Sequence, residues 1–327
     1  MSELRTLLAD TTTKVLGDIR DTSLEASWKR ITDAGLANVL ANEESGGFGG
    51  TWEDVLIVVK ACGYFATPAP LPEAILATHL AQAAGVALTD GMVTICANAT
   101  GKIDGTRFTG TLRGVPWGRN ASHIVALIEG TLLVASRADA QIEEHQNPAA
   151  EPRDTLHFEN AGVETARAEA DMLPALALLR TGQIAGALDH ALELSVGYTR
   201  ERQQFGRPLA QFQAIQQQLA VLAEETAAAG MAAAASFKAM DRGDADFEIA
   251  AAKLRSNRAA RTATGIAHQV HGAMGFTAEY SLHHLTRRLW AWQTEGGNER
   301  FWGERLGTLV AARGSKAFWG DLVARNE

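Results

Sequence analysis

A chain of 327 residues is long enough to bury two or three packed units. Its 46% hydrophobic and 21% charged content is that of a globular protein, not a disordered or fibrous one. The net charge of −8 argues against a general binder of phosphate backbones, so no nucleic-acid partner is expected, while local basic clusters stay free to hold a nucleotide.

Cys62 and Cys96 lie in apolar surroundings with no partner at metal-ligand spacing, as small buried thiols of a reducing compartment do. The first residues lack the basic start, apolar core and small-residue cleavage site of an export signal. No apolar run approaches the roughly 20 residues that span a bilayer. These features predict a cytoplasmic protein without a membrane span.

Residues 1–88 read as an N-terminal helical domain. Leu7, Leu8, Val15 and Leu16 recur at helical spacing, as do Leu56, Ile57, Val58 and Ala61. The glycines of Ser45-Gly-Gly-Phe-Gly-Gly50 predict a loop, and the prolines of Thr67-Pro-Ala-Pro-Leu-Pro72 an extended segment. Residues 89–170 change character. Met92–Cys96, Thr106–Thr109, His123–Ile128 and Thr131–Val134 are short β-branched runs separated by turns such as Asp104-Gly105 and Glu129-Gly130. They predict a small β middle domain, reduced and barrel-like. Residues 171–327 are again helical, with helices expected over 180–202, 214–236 and 245–270 and no proline after Pro208. The fold class is therefore mainly α with a small β middle domain and a C-terminal four-helix bundle.

Three C-terminal stretches carry candidate chemistry. In Tyr198–Gln216, Gly206 supplies a turn and Pro208 opens the next helix, and Arg200, Arg202 and Arg207 crowd the elbow. Arginines there suit a diphosphate, and equally they complement the dipole of a helix C-terminus. In His268–Leu282, Gly272 and Gly275 allow a chain reversal and close backbone approach to a ligand. His268 and His271 have no third ligand at zinc spacing, so no metal is expected. In Leu289–Trp302, Glu295 precedes two glycines between aromatic segments. It reads either as a general base, its pKa raised by burial among Trp290, Trp292 and Phe301, or as part of an acidic N-cap region that Asn298 and Glu299 also serve.

Taken together, Arg202-x-x-Phe-Gly-x-Pro-Leu209 with Phe212-Gln-x-Ile-Gln216, Gln269-x-x-Gly272 and Glu295-Gly296 resemble the acyl-CoA dehydrogenase family. Glu43–Gly50 resembles that family's glycine-rich N-terminal loop. The resemblance implies an elbow that reaches the FAD of a neighbouring subunit. Arg202 would bind the FAD diphosphate, Gln204 and Phe205 would line the same cofactor, and Gln269 and Gly272 would touch its diphosphate and adenosine part. Gln213 lies on the next helix. Glu295 would be the catalytic base, because the alternative place for that acid, Leu173–Arg180, holds none. Trp117, in Val115-Pro-Trp-Gly118, stands where the family has a flavin-facing tryptophan, and a core position explains it equally.

The sequence also departs from the family. Ala273 replaces a glycine, Gly297 a threonine, and the small-residue loop expected near 87–100 is missing. The short chain is similar to subunits of heteromeric acyl-CoA dehydrogenases of bacterial steroid and side-chain catabolism. The implied activity is FAD-dependent α,β-dehydrogenation of an acyl-CoA to a 2-enoyl-CoA, with electrons passed to an electron-transfer flavoprotein or similar acceptor. The alternatives are a half-site partner subunit of a heteromer, and an acyl-CoA oxidase or flavin monooxygenase on the same fold. The assembly is a homo-oligomer or a heterotetramer with a homologous subunit.

Overall fold

The computed structural model describes residues 3–19, 22–42, 47–88 and 91–325. Four helices come first: α1 (Glu3–Asp18), α2 (Leu24–Asp33), α3 (Trp52–Tyr64) and α4 (Leu71–Ala83). Their starts are chemically marked. The Ser23 hydroxyl accepts the Ala26 N–H ahead of α2, and Thr51 and Asp54 form a reciprocal capping box on α3. A distant acid joins that end of α3: Asp241 accepts the N–H groups of Trp52 at 2.8 Å and Glu53 at 3.2 Å, complementing the helix dipole. The proline segment differs from expectation. Helix α4 already begins at Leu71, and Pro72 sits in its first turn, where a missing N–H leaves no acceptor unserved. The first part of the Glu43–Gly50 loop, residues 43–46, lies outside the described residues.

Seven strands follow: β1 (Val93–Cys96), β2 (Asn98–Asp104), β3 (Arg107–Pro116), β4 (His123–Ile128), β5 (Thr131–Ser136), β6 (Ala140–Glu143) and β7 (Arg153–Arg167). They form one sheet in the order β1-β4-β5-β7-β3-β2, with β6 also on β7. It curls into a half-barrel around Phe108, Leu112, Ile124, Leu133 and Phe158. The expected middle β part between helical parts is present, but β2, β6 and β7 have no counterpart among the runs picked from the sequence. Strand β2 is a largely exposed edge strand without β-branched clustering. Strand β7, at 15 residues, pairs with β3 and β6 and then with β5, so it holds the whole sheet together. Its inward positions include Asp154, Leu156, Phe158, Ala161 and Val163, and the charged and polar residues between them conceal the period.

The C-terminal part comprises α5 (Met172–Glu201), a two-stranded hairpin of β8 (Gln203–Gln204) and β9 (Arg207–Pro208), then α6 (Gln213–Arg242), α7 (Asp246–His271), α8 (Leu282–Trp292), α9 (Glu299–Arg313) and α10 (Phe318–Ala324). Helix α5 starts eight residues before the expected 180 and is the central element. Every residue from 176 to 188 is buried, as a helix enclosed on all sides requires. It packs on α3, α6, α7 and α8. Among the described residues, no helix is long and apolar enough to cross a membrane.

The crossing of α3 and α5 is backbone against backbone. A Cβ added to Gly63 would lie 1.9 Å from the Gln183 carbonyl oxygen, and one added to Gly186 would lie 1.8 Å from the Lys60 carbonyl oxygen. Gly186 therefore serves helix packing. Around Gly197, in contrast, an added Cβ meets nothing within 4 Å. Gly186→Ala should push the two helices apart and cost about 3 kcal/mol in urea unfolding. Gly197→Ala should instead stabilise by up to about 1 kcal/mol through helix propensity.

Candidate functional site: a buried charge chain and a surface cofactor elbow

Glu295 lies where the three parts of the chain meet, and its surroundings are basic. Its Oε1 accepts from Arg153 Nε at 2.9 Å and Asn147 Nδ2 at 3.0 Å. Its Oε2 accepts from Arg180 Nε at 2.8 Å and Arg153 Nη2 at 3.1 Å. The chain of charges extends both ways. Arg180 Nη2 is 2.7 Å from Glu73 Oε1, an ion pair whose angle falls short of a hydrogen bond. Arg153 Nη2 donates to Glu151 Oε2 at 3.1 Å, and Arg288 Nε donates to Glu151 Oε1 at 2.8 Å. Three carboxylates thus alternate with three guanidiniums in the order Glu73, Arg180, Glu295, Arg153, Glu151, Arg288. Arg180 is 0% exposed and the Glu295 side chain 17%, so these are interior charges.

The loop carrying Glu295 is held from below. The Lys253 ammonium donates to the Trp292 carbonyl at 2.7 Å and to Asn257 Oδ1 at 2.6 Å, and Asn257 Nδ2 reaches the Gly297 carbonyl at 3.3 Å. Trp302 Nε1 donates to the Gly296 carbonyl at 2.7 Å. Gly296 (φ 70°) and Gly297 (φ 99°) take left-handed conformations, and an added Cβ would strike Ala177 and Trp302, so the Glu-Gly-Gly sequence is required sterically. Asn298 caps α9 by accepting the Phe301 N–H at 2.9 Å, which frees Glu295 from the capping role.

Here the structure corrects the expected direction of the pKa. Burial alone would push the Glu295 carboxyl up, but the charges of Arg153 and Arg180, with hydrogen bonds from Arg153 and Asn147, outweigh it and hold Glu295 at about 2. Trp290 and Phe301, expected to bury the acid, are both exposed. Burial, and after it the charge of Arg180, bring the Lys253 amine down to about 7 against the opposing pull of Glu295.

The residues expected at a cofactor lie elsewhere, on the surface. Arg202 ends α5, its N–H donating to the Tyr198 carbonyl at 2.8 Å. The hairpin then turns through Phe205 (φ 52°) and Gly206 (φ 79°), which leaves the Phe205 side chain 90% exposed. A bulky non-glycine residue in the left-handed region is strained, and such strain marks a presented side chain. Arg207 stacks over Phe212 with 4.1 Å to the ring centroid. Among the described residues, neither Arg200 nor Arg202 pairs with a carboxylate. Gln204 is exposed beside Phe205.

The ends of α5 and α7 are joined by Tyr198, His271 and Tyr280. Tyr198 stacks on His271 at 4.6 Å, and His271 Nε2 lies 3.3 Å from the Tyr280 hydroxyl. His271 is therefore a structural residue. Beyond it, Gln269 and Gly272 line a cleft of about 570 Å³ with Thr264, Gly265, His268, Trp290 and Gln293. Burial, and then His271, lower the His268 pKa. Among the described residues, no group of three or more His, Cys, Asp or Glu side chains could hold a metal ion.

Trp117 is half-buried at φ 56°, and its N–H donates to the Pro152 carbonyl at 3.0 Å, which sets its turn beside Arg153. The structure thus places Glu295 in a buried ion-pair chain with Arg153, the neighbour of the Trp117-bonded Pro152, puts Gln269 and Gly272 in one cleft, and leaves Arg202, Gln204 and Phe205 on the hairpin at the end of α5. Sequence reasoning missed Glu73, Glu151, Arg153, Arg180, Lys253 and Arg288. A signal existed for two of them: Arg180 interrupts an apolar helical run, and Lys253 follows three alanines.

Residues 170–305 match the family model described as acyl-CoA dehydrogenase, C-terminal domain. The chain is 28% identical over 277 residues to acyl-CoA dehydrogenase IpdE2 of Mycobacterium tuberculosis, covering 81% of this chain and 80% of that protein. A shorter stretch of 106 residues is 38% identical to acryloyl-CoA reductase (NADH) of Anaerotignum propionicum, covering 32% of this chain and 27% of that protein. Among solved structures, a chain of the ChsE4-ChsE5 complex from Mycobacterium tuberculosis superposes with a TM-score of 0.85 at 19% identity, covering 94% of this chain and 97% of the other. Butyryl-CoA dehydrogenase from Megasphaera elsdenii gives 0.83 at 17% identity, covering 94% and 98%. At these identities the structural likeness establishes the fold.

The Glu295 clamp has a pH signature. Its folded pKa of about 2 lies below the ordinary 4.5, so its stabilisation is present above about pH 5 and is lost as the pH falls toward 2. A shift of that size corresponds to about 3 kcal/mol. Glu295→Gln, which leaves two buried guanidiniums short of a charge, should cost about 3–5 kcal/mol at pH 7 in denaturant unfolding, and the penalty should shrink on acidification through that window.

Proposed function

Because the chain belongs to the acyl-CoA dehydrogenase family, we propose that it serves FAD-dependent α,β-dehydrogenation of an acyl-CoA thioester to the 2-enoyl-CoA as one half of a flavin site shared with a homologous subunit. The observation that carries this reading is the state of Glu295. A base must take up a proton near neutral pH, and protonating a carboxylate of pKa about 2 at pH 7 costs about 7 kcal/mol. Both its oxygens are also occupied by guanidiniums. In this chain Glu295 is the centre of a structural lock, and the base that removes the α-proton belongs to the partner.

The cofactor-facing role rests on the surface set. A cation free of carboxylates among the described residues at a helix end, an exposed strained phenylalanine and a roomy cleft with polar and aromatic walls fit a dinucleotide held between two chains. The buried His268 nitrogens, which have no partner among the described residues, fit a ligand that completes them. Arg202 would hold the FAD diphosphate, Gln204 and Phe205 would line it, Gln269 and Gly272 would touch the adenosine part, and Trp117 would face the flavin. When bound there, FAD would supply a hydride acceptor for the β-hydrogen. The protein positions the dinucleotide and excludes water, and electrons leave to an electron-transfer flavoprotein or similar acceptor. The name of the ChsE4-ChsE5 complex supports a heteromer, and a neighbouring structure described as a steroid ACAD supports steroid-derived or other bulky acyl-CoAs as the substrate class.

The test compares this chain alone with its complex with a co-encoded homologous subunit. Acyl-CoA should bleach the yellow flavin only in the complex, and Glu295→Gln should leave the bleaching rate per bound flavin unchanged. Bleaching by the isolated chain, abolished by Glu295→Gln, would overturn the proposal and make Glu295 the base. Arg202→Ala should weaken FAD retention about 10- to 100-fold, read by absorbance after gel filtration, as expected for a charge-assisted contact.

A further inference from the structure

Lys253 lies on α7 beneath the Glu295 loop, directly after three alanines, and is 0% exposed. Its nitrogen has two acceptors, the Trp292 carbonyl at 2.7 Å and Asn257 Oδ1 at 2.6 Å. Both belong to the support of the loop. Trp292 ends α8, and Asn257 passes the hold on to the Gly297 carbonyl at 3.3 Å. A neutral amine has two protons to donate and an ammonium three. The two acceptors therefore satisfy the amine in full and leave the third proton of the ammonium with none. Among the described residues no carboxylate pairs with Lys253, although a fully buried lysine is almost always paired.

Burial disfavours the cation most, Arg180 of α5 disfavours it further, and Glu295 of the loop after α8 opposes both. The other charges around α7 are committed elsewhere. Glu225 of α6 holds Arg255, Arg242 of α6 holds Glu248, Glu299 of α9 holds Arg258 and Arg261, Arg305 of α9 holds Asp246, and Arg288 of α8 holds Glu151. No further counter-ion is therefore at hand when the third proton arrives. We propose that Lys253 is a proton-operated latch on the Glu295 loop. Unprotonated, it fixes the loop through the Trp292 carbonyl and Asn257; protonated, it places an unmatched cation beside the charge row, and the loop loosens to let water reach it. The latch works within the chain's own interior and holds with or without a flavin.

The experiment has two arms, both on the full-length chain. The first is urea unfolding across the pH range, with Lys253→Met removing the titrating group at similar side-chain length. The folded value of about 7 lies below the ordinary 10.5, so the unfolded chain binds the extra proton between them and stability rises with pH through that window. Relative to Lys253→Met, the unfolding constant of wild type should fall about tenfold per pH unit between roughly pH 7.5 and 10, and level off below about pH 6.5. The second arm is hydrogen exchange of wild type, which decides alone if Lys253→Met fails to fold. After correction for chemical exchange, the amides of residues 293–298 should gain about 10- to 100-fold in protection between roughly pH 6 and 9, while those of the exposed edge strand β2 should not. A wild-type-to-variant ratio independent of pH would overturn the titration of Lys253. Flat protection of residues 293–298, or an equal gain in β2, would overturn the latch.

Discussion

The buried row of alternating charges from Glu73 to Arg288 is the constraint on which the arrangement depends. Its members come from α4, the segment leading into β7, α5, α8 and the loop after α8, so one electrostatic chain fastens the N-terminal helices, the sheet and the bundle to each other. Each ion has left water at a cost of several kcal/mol, and that cost is offset only because every charge is flanked by its opposite in good geometry. The row is neutral as a whole, three against three. Removing a terminal member takes a partner from one neighbour, whereas removing Glu295 takes one from both Arg180 and Arg153 and leaves three guanidiniums facing two carboxylates.

The same row decides what Glu295 is available for. A carboxylate cannot both neutralise two buried guanidiniums and wait as a proton acceptor near neutral pH, because the first task lowers its pKa and the second needs it higher. The supports around its loop, from Lys253 through Asn257 to Gly297 and from Trp302 to Gly296, fix the acid within the clamp. The elbow shows the opposite economy of contacts. There, among the described residues, Arg202 has no carboxylate and Phe205 is 90% exposed, and on α7 the His268 nitrogens have no partner. One region is saturated within the chain, and the other is left to be completed from outside it.

Much of this was legible from residues alone. Strand β4 coincides with the run His123–Ile128, because a β-branched stretch between turn residues has few other options. Helices α6 and α7 break at Gly243, which adopts φ 79° as a helix-ending glycine does. Strand β7 was not legible, because its inward positions alternate with charges that face water or ion pairs. Helix α5 begins at Met172, within the stretch 171–327 that reads as helical, and Pro174 is tolerated in its first turn.

The amino-acid sequence by itself determined the order of helical and β parts, the elbow with its arginines and turn glycine, and the Glu-Gly-Gly loop, because propensity, turn chemistry and short motifs are properties of neighbours along the chain. Only the tertiary structure decided what surrounds each side chain. Arg153 lies 142 residues from Glu295 and Arg180 lies 115 away, yet they set its pKa. Of the aromatics near Glu295 in sequence, Trp290 and Phe301 turn partly to solvent while Trp292 and Trp302 are buried, and the His268 ring stacks against Phe276 and Trp290. Electrostatics and burial depend on distance in space, and that distance is set by how α4, α5, β7 and α8 pack.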